Sequence, residues 1–139
     1  MKKDLYNDIA HRIIYEDNHL LAVNKHINEP VQGDSSGDTP LIELVKEFIK
    51  QRDAKPGNVF MGLPHRLDRP TSGLVILAKT SKALTRLGKQ FKTRDVRKFY
   101  WAVVDHMPPA DHGALDHYLW KNRGQNKSYS VSAAKAEKK

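Results

Sequence analysis

The sequence predicts an α+β fold, with short hairpin-type strands and separate helices. Three observations carry this prediction. Two β-type runs, Ile13-Ile14-Tyr15 and Leu20 to Val23, flank the turn residues Asp17-Asn18, the pattern of a hairpin. Two segments, one from Leu41 and one around Leu84, repeat apolar residues at helical spacing. A third, "RKFYWAVV" at 97–104, alternates Phe99, Trp101 and Val103 with Lys98, Tyr100 and Ala102. Strands that return on themselves beside helices favour α+β packing over a doubly wound sheet.

The elements follow in order. Residues 1–11 are polar and mixed, and are expected to be a loose lead-in to a domain spanning 12–139. After the hairpin, "NEPVQGDSSGD" is a loop by its Gly, Ser, Asp and Pro content. Thr39-Pro40 marks a helix start: a hydroxyl cap, then proline at the first helical position, where its missing N–H leaves no bond unmade. Leu41, Leu44, Val45, Phe48 and Ile49 form the apolar stripe of that helix, and "DAKPGN" ends it. Val59 to Leu63 reads as a short strand and Leu74 to Ala78 as a buried one. Thr80 or Ser81 caps a second helix, with Leu84, Leu87 and Phe91 toward the core. Residues 97–104 carry the clearest strand pattern, closed by Pro108-Pro109. The tail from Lys121 is polar, basic and weakly periodic.

Composition narrows the function. Lys and Arg number 24 against 16 Asp and Glu, a net charge of +8, which attracts polyanions and puts nucleic acid ahead of an anionic membrane as partner. There are no cysteines, which excludes disulfides, thiolate catalysis and cysteine-ligated zinc. No apolar run approaches the roughly 20 residues of a spanning helix. "MKKDLYNDIAHR" has no apolar stretch behind its lysines, so it does not read as a secretory signal, and a cytoplasmic protein is expected. His106, His112 and His117 each follow an aspartate in a loop-like setting, but spacing alone fixes no coordination geometry, and no metal is expected. No Gly-rich phosphate loop occurs, and Ser72 with His65 lacks the nucleophile-elbow pattern.

The segment "GLPHRLDRPTSGLVILAK", residues 62–79, concentrates the chemistry. It sets His65, Arg66, Asp68 and Arg69 together, follows them with Thr71-Ser72-Gly73, and runs into a buried strand. Cations near a carboxylate favour its charged form, so Asp68 can serve as nucleophile, general base or electrostatic anchor. The Thr71 and Ser72 side chains can fix the turn by bonding local backbone, and Gly73 relieves its steric limits. The strand gives the group a stiff mount. The same residues also fit a surface salt-bridge cluster, which contributes little. Lys89, Lys92, Arg94, Arg97 and Lys98 make a basic run that either tracks phosphates or is a solvated helix end.

"HRLDRPTSGLVILAK" resembles the signature of the RluA-type RNA pseudouridine synthases, which isomerise uridine in ribosomal and transfer RNA. "IIYEDNHLLAVNK" resembles the strand pair that opens that family's catalytic domain, and "TSKALTRLGKQFKTRDVRKFYWAVV" the helix and strand that follow the signature. The resemblance implies a mixed, largely antiparallel sheet with flanking helices, RNA in a basic cleft, and neither cofactor nor metal. It implies Asp68 as the catalytic aspartate, Tyr100 as the ring packed against the target uracil, and Arg66 as the side chain that fills the space of the flipped base. His65, Arg69, Thr71 and Lys98 are the accompanying candidates for substrate and RNA contact. A monomer is expected of the complete protein.

Two departures qualify the likeness. The lysine-proline-glycine turn of the family is replaced by Lys25-His26-Ile27-Asn28-Glu29-Pro30, which predicts a differently shaped loop. The family's third motif, whose arginine or lysine pairs with the aspartate, has no match before Lys139. The chain is therefore expected to be the N-terminal portion of a catalytic domain, incomplete at its C-terminus and weak in activity. The competing expectation is an RNA-binding fragment or regulator that does no chemistry.

Overall fold

Asp17 shapes the first hairpin: its carboxylate accepts the backbone N–H groups of His19 and Leu20 at 2.7 and 2.6 Å, the local bonding that makes Asp a turn residue. This computed structural model describes residues 1–122, 124–125 and 127–133. The hairpin strands are β1 (Ile13–Glu16) and β2 (Leu20–Lys25), and β2 pairs on its other side with β3 (Gly73–Ala78). Three helices accompany this sheet: α1 (Lys3–Arg12), α2 (Leu41–Arg52) and α3 (Ser81–Lys92). A second sheet joins β4 (Tyr118–Asn122) to β5 (Lys127–Val131). All pairing between these strands is antiparallel, so the α+β expectation holds. The chain divides into two units, Met1–Phe99 and Tyr100–Lys139.

In the first unit, alternation along β2 and β3 turns Leu21, Val23, Val75 and Leu77 to one face, where all four are fully buried. Ile9 of α1 and Leu41, Val45 and Ile49 of α2 complete that core, and the Tyr6 ring lies 4.7 Å from that of Phe48. Each such aliphatic side chain contributes roughly 1.5–3 kcal/mol on leaving water. The first ten residues, expected as a loose lead-in, thus supply a core helix. Its three-residue apolar set (Leu5, Tyr6 and Ile9) is too sparse to announce itself by periodicity.

The ends of α2 and α3 separate two kinds of capping. Thr80 caps α3 as expected, its hydroxyl accepting the Ala83 N–H at 3.2 Å. On α2 the cap falls one residue later than expected, on Pro40, and no side chain bonds there. The loop supplies the acceptors instead. Leu41 and Ile42 donate to the carbonyls of Pro30 and Val31 at 2.8 and 3.2 Å, so those orphan donors are satisfied without a hydroxyl.

The strand expected at Val59 to Leu63 shrinks to one bridge, Gly62 to Ala78, with bonds of 2.7 and 2.9 Å. The next position in that register is Pro64, which has no N–H to give, and the Ile76 N–H opposite is taken by His65. A Cβ at Gly62 would lie 2.8 Å from a methyl of Leu84 on α3.

The run at 97–104 forms no strand. Trp101 and Val103 are fully exposed and Phe99 is 86% exposed. Alternation becomes a strand only when a neighbour takes its backbone groups, and none does among the described residues. The second unit forms its sheet further on, from the tail expected to be featureless. There Trp120 stands opposite Tyr129 with ring centroids 6.1 Å apart. The alternation Tyr118-Trp120 and Tyr129-Val131 was present but diluted by Lys, Asn and Ser.

Glu16 ties three elements together. It accepts from Arg52 of α2 at 2.6 and 2.8 Å and from Lys79, just past β3, at 2.6 Å. These bonds, that to Arg52 first, lower its pKa to about 2 against some opposing burial.

Two outcomes follow. Gly62→Ala should lower stability by about 1–3 kcal/mol, since Leu84 must shift from a packed position; a chemical-denaturation midpoint matching the parent would contradict the contact. For Glu16 the folded pKa lies below the unfolded one, so its contribution is complete above about pH 4.5 and fades as pH falls toward about 2. Thermal melts across that window should show a shallower acid loss in Glu16→Gln than in the parent, and parallel curves would exclude the effect.

Candidate active site

The loop from Pro64 to Ser72 hangs between the edge of β3 and the end of β2. His65 fixes its start: Nε2 accepts the Ile76 N–H at 2.9 Å, so the ring carries its proton on Nδ1. The ring stacks on Phe91 of α3 at 4.5 Å and 18°. Burial, then the charge of Lys98, lowers its pKa, which keeps it the neutral acceptor this bond needs. His65 is therefore a mount for the loop.

Leu67 plunges into the core, 9% exposed, and leaves its neighbours Arg66 and Asp68 facing solvent. The turn after Asp68 is closed by backbone, Thr71 N–H to the Asp68 carbonyl at 3.0 Å. The hydroxyls of Thr71 and Ser72, expected to do this work, make no hydrogen bond among the described residues. Gly73 enters β3 at φ 127°, a region that side chains disfavour, as expected of it.

Arg69 holds the loop by its carbonyl rather than its charge. That oxygen accepts from the Asn28 N–H at 2.8 Å and from Lys25 Nζ at 3.1 Å. Its guanidinium turns to Asp34, at 3.2 Å, and to Asp38. These carboxylates, Asp38 first, raise its pKa. The expectation that Arg69 flanks Asp68 as a partner cation is thereby corrected: two acids of the preceding loop claim it.

The cation beneath the loop is Lys25, which is fully buried. Nζ also donates to the His26 carbonyl at 2.9 Å. Burial lowers its pKa, while the negative charges of Glu29 and then Asp68 oppose that shift. Asn28, at φ 63°, makes the tight turn that replaces lysine-proline-glycine, in a conformation Asn tolerates better than most residues. Glu29 braces this turn, accepting the His26 N–H at 3.2 Å and pairing with Arg12, which is only 6% exposed. Arg12 also bonds Asp8 and the Asn24 carbonyl, both at 2.9 Å.

Arg12 was not singled out in the sequence, and Lys25, Asn28 and Glu29 were named only as part of a differently shaped loop. Lys25 had a readable signal. Leu21, Val23 and Lys25 fall at alternate positions, so a strand that buries the first two must bury the third. Of the expected residues, the loop gathers His65, Arg66, Asp68, Arg69 and Thr71. Lys98 acts electrically on His65. Tyr100 lies in the second unit, 60% exposed and on no strand. The three Asp-His pairs do not converge, and no metal-ligating group of three forms among the described residues. No helix among them is long and apolar enough to cross a membrane.

An exposed carboxylate on a braced turn, with a buried ammonium behind it, suits nucleophilic or general-base chemistry on a ligand that arrives from solvent. Comparison with known proteins gives the chain its family. Residues 19–139 match the family model described as RNA pseudouridylate synthase. The ribosomal large subunit pseudouridine synthase C of Vibrio parahaemolyticus is 40% identical over 97 residues, covering 70% of this chain and 29% of that protein. Its namesake from Buchnera aphidicola is 35% identical over 124 residues, covering 89% of this chain and 38% of that protein. The solved structure of human RNA pseudouridylate synthase domain containing 4 superposes with a TM-score of 0.71 over 92% of this chain and 50% of that one, at 24% identity, and so shares the fold. The chain belongs to the RNA pseudouridylate synthase family, and it spans 29% to 38% of these two relatives.

Lys25→Met should release the loop locally. The Asn28 and Thr71 amides should exchange at least about tenfold faster, which is about 1.4 kcal/mol and within the range for a lost bond to a charged donor. Amides of Leu21 and Val23 should keep their protection. Unchanged exchange at Asn28 and Thr71 would show that Lys25 does not hold the turn.

Proposed function

We propose that this chain carries the reacting carboxylate of an RNA uridine isomerase, with Asp68 as the catalytic group. The exposure of Asp68 on a turn fixed from both sides, by Thr71 and through the Arg69 carbonyl, carries the reading. Family membership supports it. The substrate class is structured ribosomal RNA, in keeping with the names of the two bacterial relatives.

The reaction breaks the bond between uracil N1 and the sugar, turns the ring, and bonds C5 to the sugar carbon. C5 loses a proton and N1 gains one, so atoms and electrons balance without redox change. The base must first leave its stack, at a cost of a few kcal/mol. Asp68 then acts either by attack on a ring or sugar carbon or by removal of a sugar proton; both roles need a free carboxylate at the loop surface. Arg66, exposed beside it, fills the gap in the RNA. Lys25, buried behind the loop, is the cation that Asp68 faces from within the protein, and the two attract each other.

A second reading, RNA binding without turnover, is favoured by one observation: Tyr100 and its neighbours Trp101 and Val103 stand exposed on no strand, so the stacking platform is not built in as a sheet. Tritium release from RNA labelled at uridine C5 separates the two. The isomerase reading predicts weak release by the parent protein and its loss to background in Asp68→Asn. RNA affinity should stay within about twofold. Binding without release would establish the second reading, and equal release by Asp68→Asn would remove Asp68 from the chemistry.

A further inference from the structure

The surplus positive charge of the first unit is not spread evenly. Arg12, Lys46, Arg52, Lys55, Arg69 and Lys79 are each paired with a carboxylate. From Lys82 to Lys98 there are seven Lys and Arg against a single acid, Asp95. None of the seven forms an ion pair or side-chain hydrogen bond among the described residues. Asp95 is itself engaged by the Thr93 hydroxyl.

The helix arranges part of this charge in a line. Lys82, Arg86 and Lys89 of α3 fall within about 60° of one another around the axis, at 3.6 residues per turn. Lys92 extends the row to about 15 Å at 1.5 Å per residue. All four are exposed. The opposite side carries Ala83, Leu84, Leu87 and Phe91, the residues turned toward the protein. Four like charges kept on one ridge without a counter-ion repel one another, so the row is explained by an external anion better than by stability.

Phe91, on the protein side of α3, carries the His65 ring that begins the Asp68 loop, and the field of Lys98 reaches the same histidine. The helix that presents the row thus also braces the loop that presents Asp68.

We propose that the solvent face of α3, through Lys82, Arg86, Lys89 and Lys92, is a phosphate-tracking rail that holds one strand of the RNA, while the opposite face of the same helix braces the Asp68 loop. This rests on the reading of RNA as the substrate, and adds where RNA is held and by which side chains. The contacts are to phosphate and carry no base specificity. Arg66 and Asp68 lie outside the rail and act on the nucleotide.

The test is fluorescence anisotropy of a labelled stem-loop RNA, titrated at several salt concentrations. The parent is compared with Lys82→Gln/Arg86→Gln/Lys89→Gln and with a control of equal charge loss elsewhere, Lys2→Gln/Lys3→Gln/Lys50→Gln. The rail variant should bind at least about tenfold more weakly, and its slope of log affinity against log salt should be shallower by about 2–3, since each lost phosphate contact removes about 0.7–0.9. The control should retain most of the slope. Equal slopes for rail variant and parent, or equal losses in rail variant and control, would overturn the rail while leaving uridine isomerisation to the tritium assay. A parent that binds RNA with no salt dependence would overturn the rail and the RNA-substrate reading together.

Discussion

One carbonyl oxygen organises the candidate site. The oxygen of Arg69 receives the Asn28 N–H and the ammonium of a fully buried lysine, and Asp68 stands one residue before it. A buried ammonium without acceptors is costly, by several kcal/mol after relaxation. Lys25 is retained because two carbonyls solvate it, those of His26 and Arg69. The dependence runs both ways. The loop gives the lysine its acceptors, and the lysine denies the loop other conformations. The Arg12–Glu29 pair extends this constraint to α1, since Glu29 also holds the His26 N–H. The helix that looked like a loose lead-in thus has a place in the site's foundation.

The local rules that the sequence obeys were legible because they act over a few residues. Asp17 made its hairpin, Thr80 made its cap, and the stripe from Leu41 to Ile49 buried itself as spaced. Gly73 was legible from residue type and order, and the motif around it was long enough to mark a family. What failed to show in the sequence was set by distant partners. No local pattern says that Arg69 will turn to Asp34 and Asp38, or that the loop carbonyls of Pro30 and Val31 will replace a hydroxyl cap on α2. The strand at 97–104 is the opposite lesson. Its alternation is strong, yet strand formation is a property of a pair, and the described residues provide no second member.

Charge follows the same division of labour. On the β1–β2 side the basic groups are spent internally: Arg52 and Lys79 on Glu16, Arg12 on Asp8 and Glu29. On α3 they form no ion pair among the described residues. A net charge of +8 says only that a polyanion is welcome; the structure shows which face has positive charge to offer. The helix that presents this face braces, through Phe91 on its other side, the histidine from which the Asp68 loop departs.

The central claim is that a nucleotide meets Asp68 on a loop already in place. A crystal structure of the protein with a uridine-containing stem-loop RNA tests it most directly. The account predicts one uridine out of its stack, with its glycosidic carbon or a neighbouring atom about 3–3.5 Å from the Asp68 carboxylate, and the Lys25 to Arg69 carbonyl bond intact. A structure with every uridine stacked and the RNA seated on a face remote from Asp68, or with the 65–72 loop rebuilt around the ligand and Lys25 released, would contradict it.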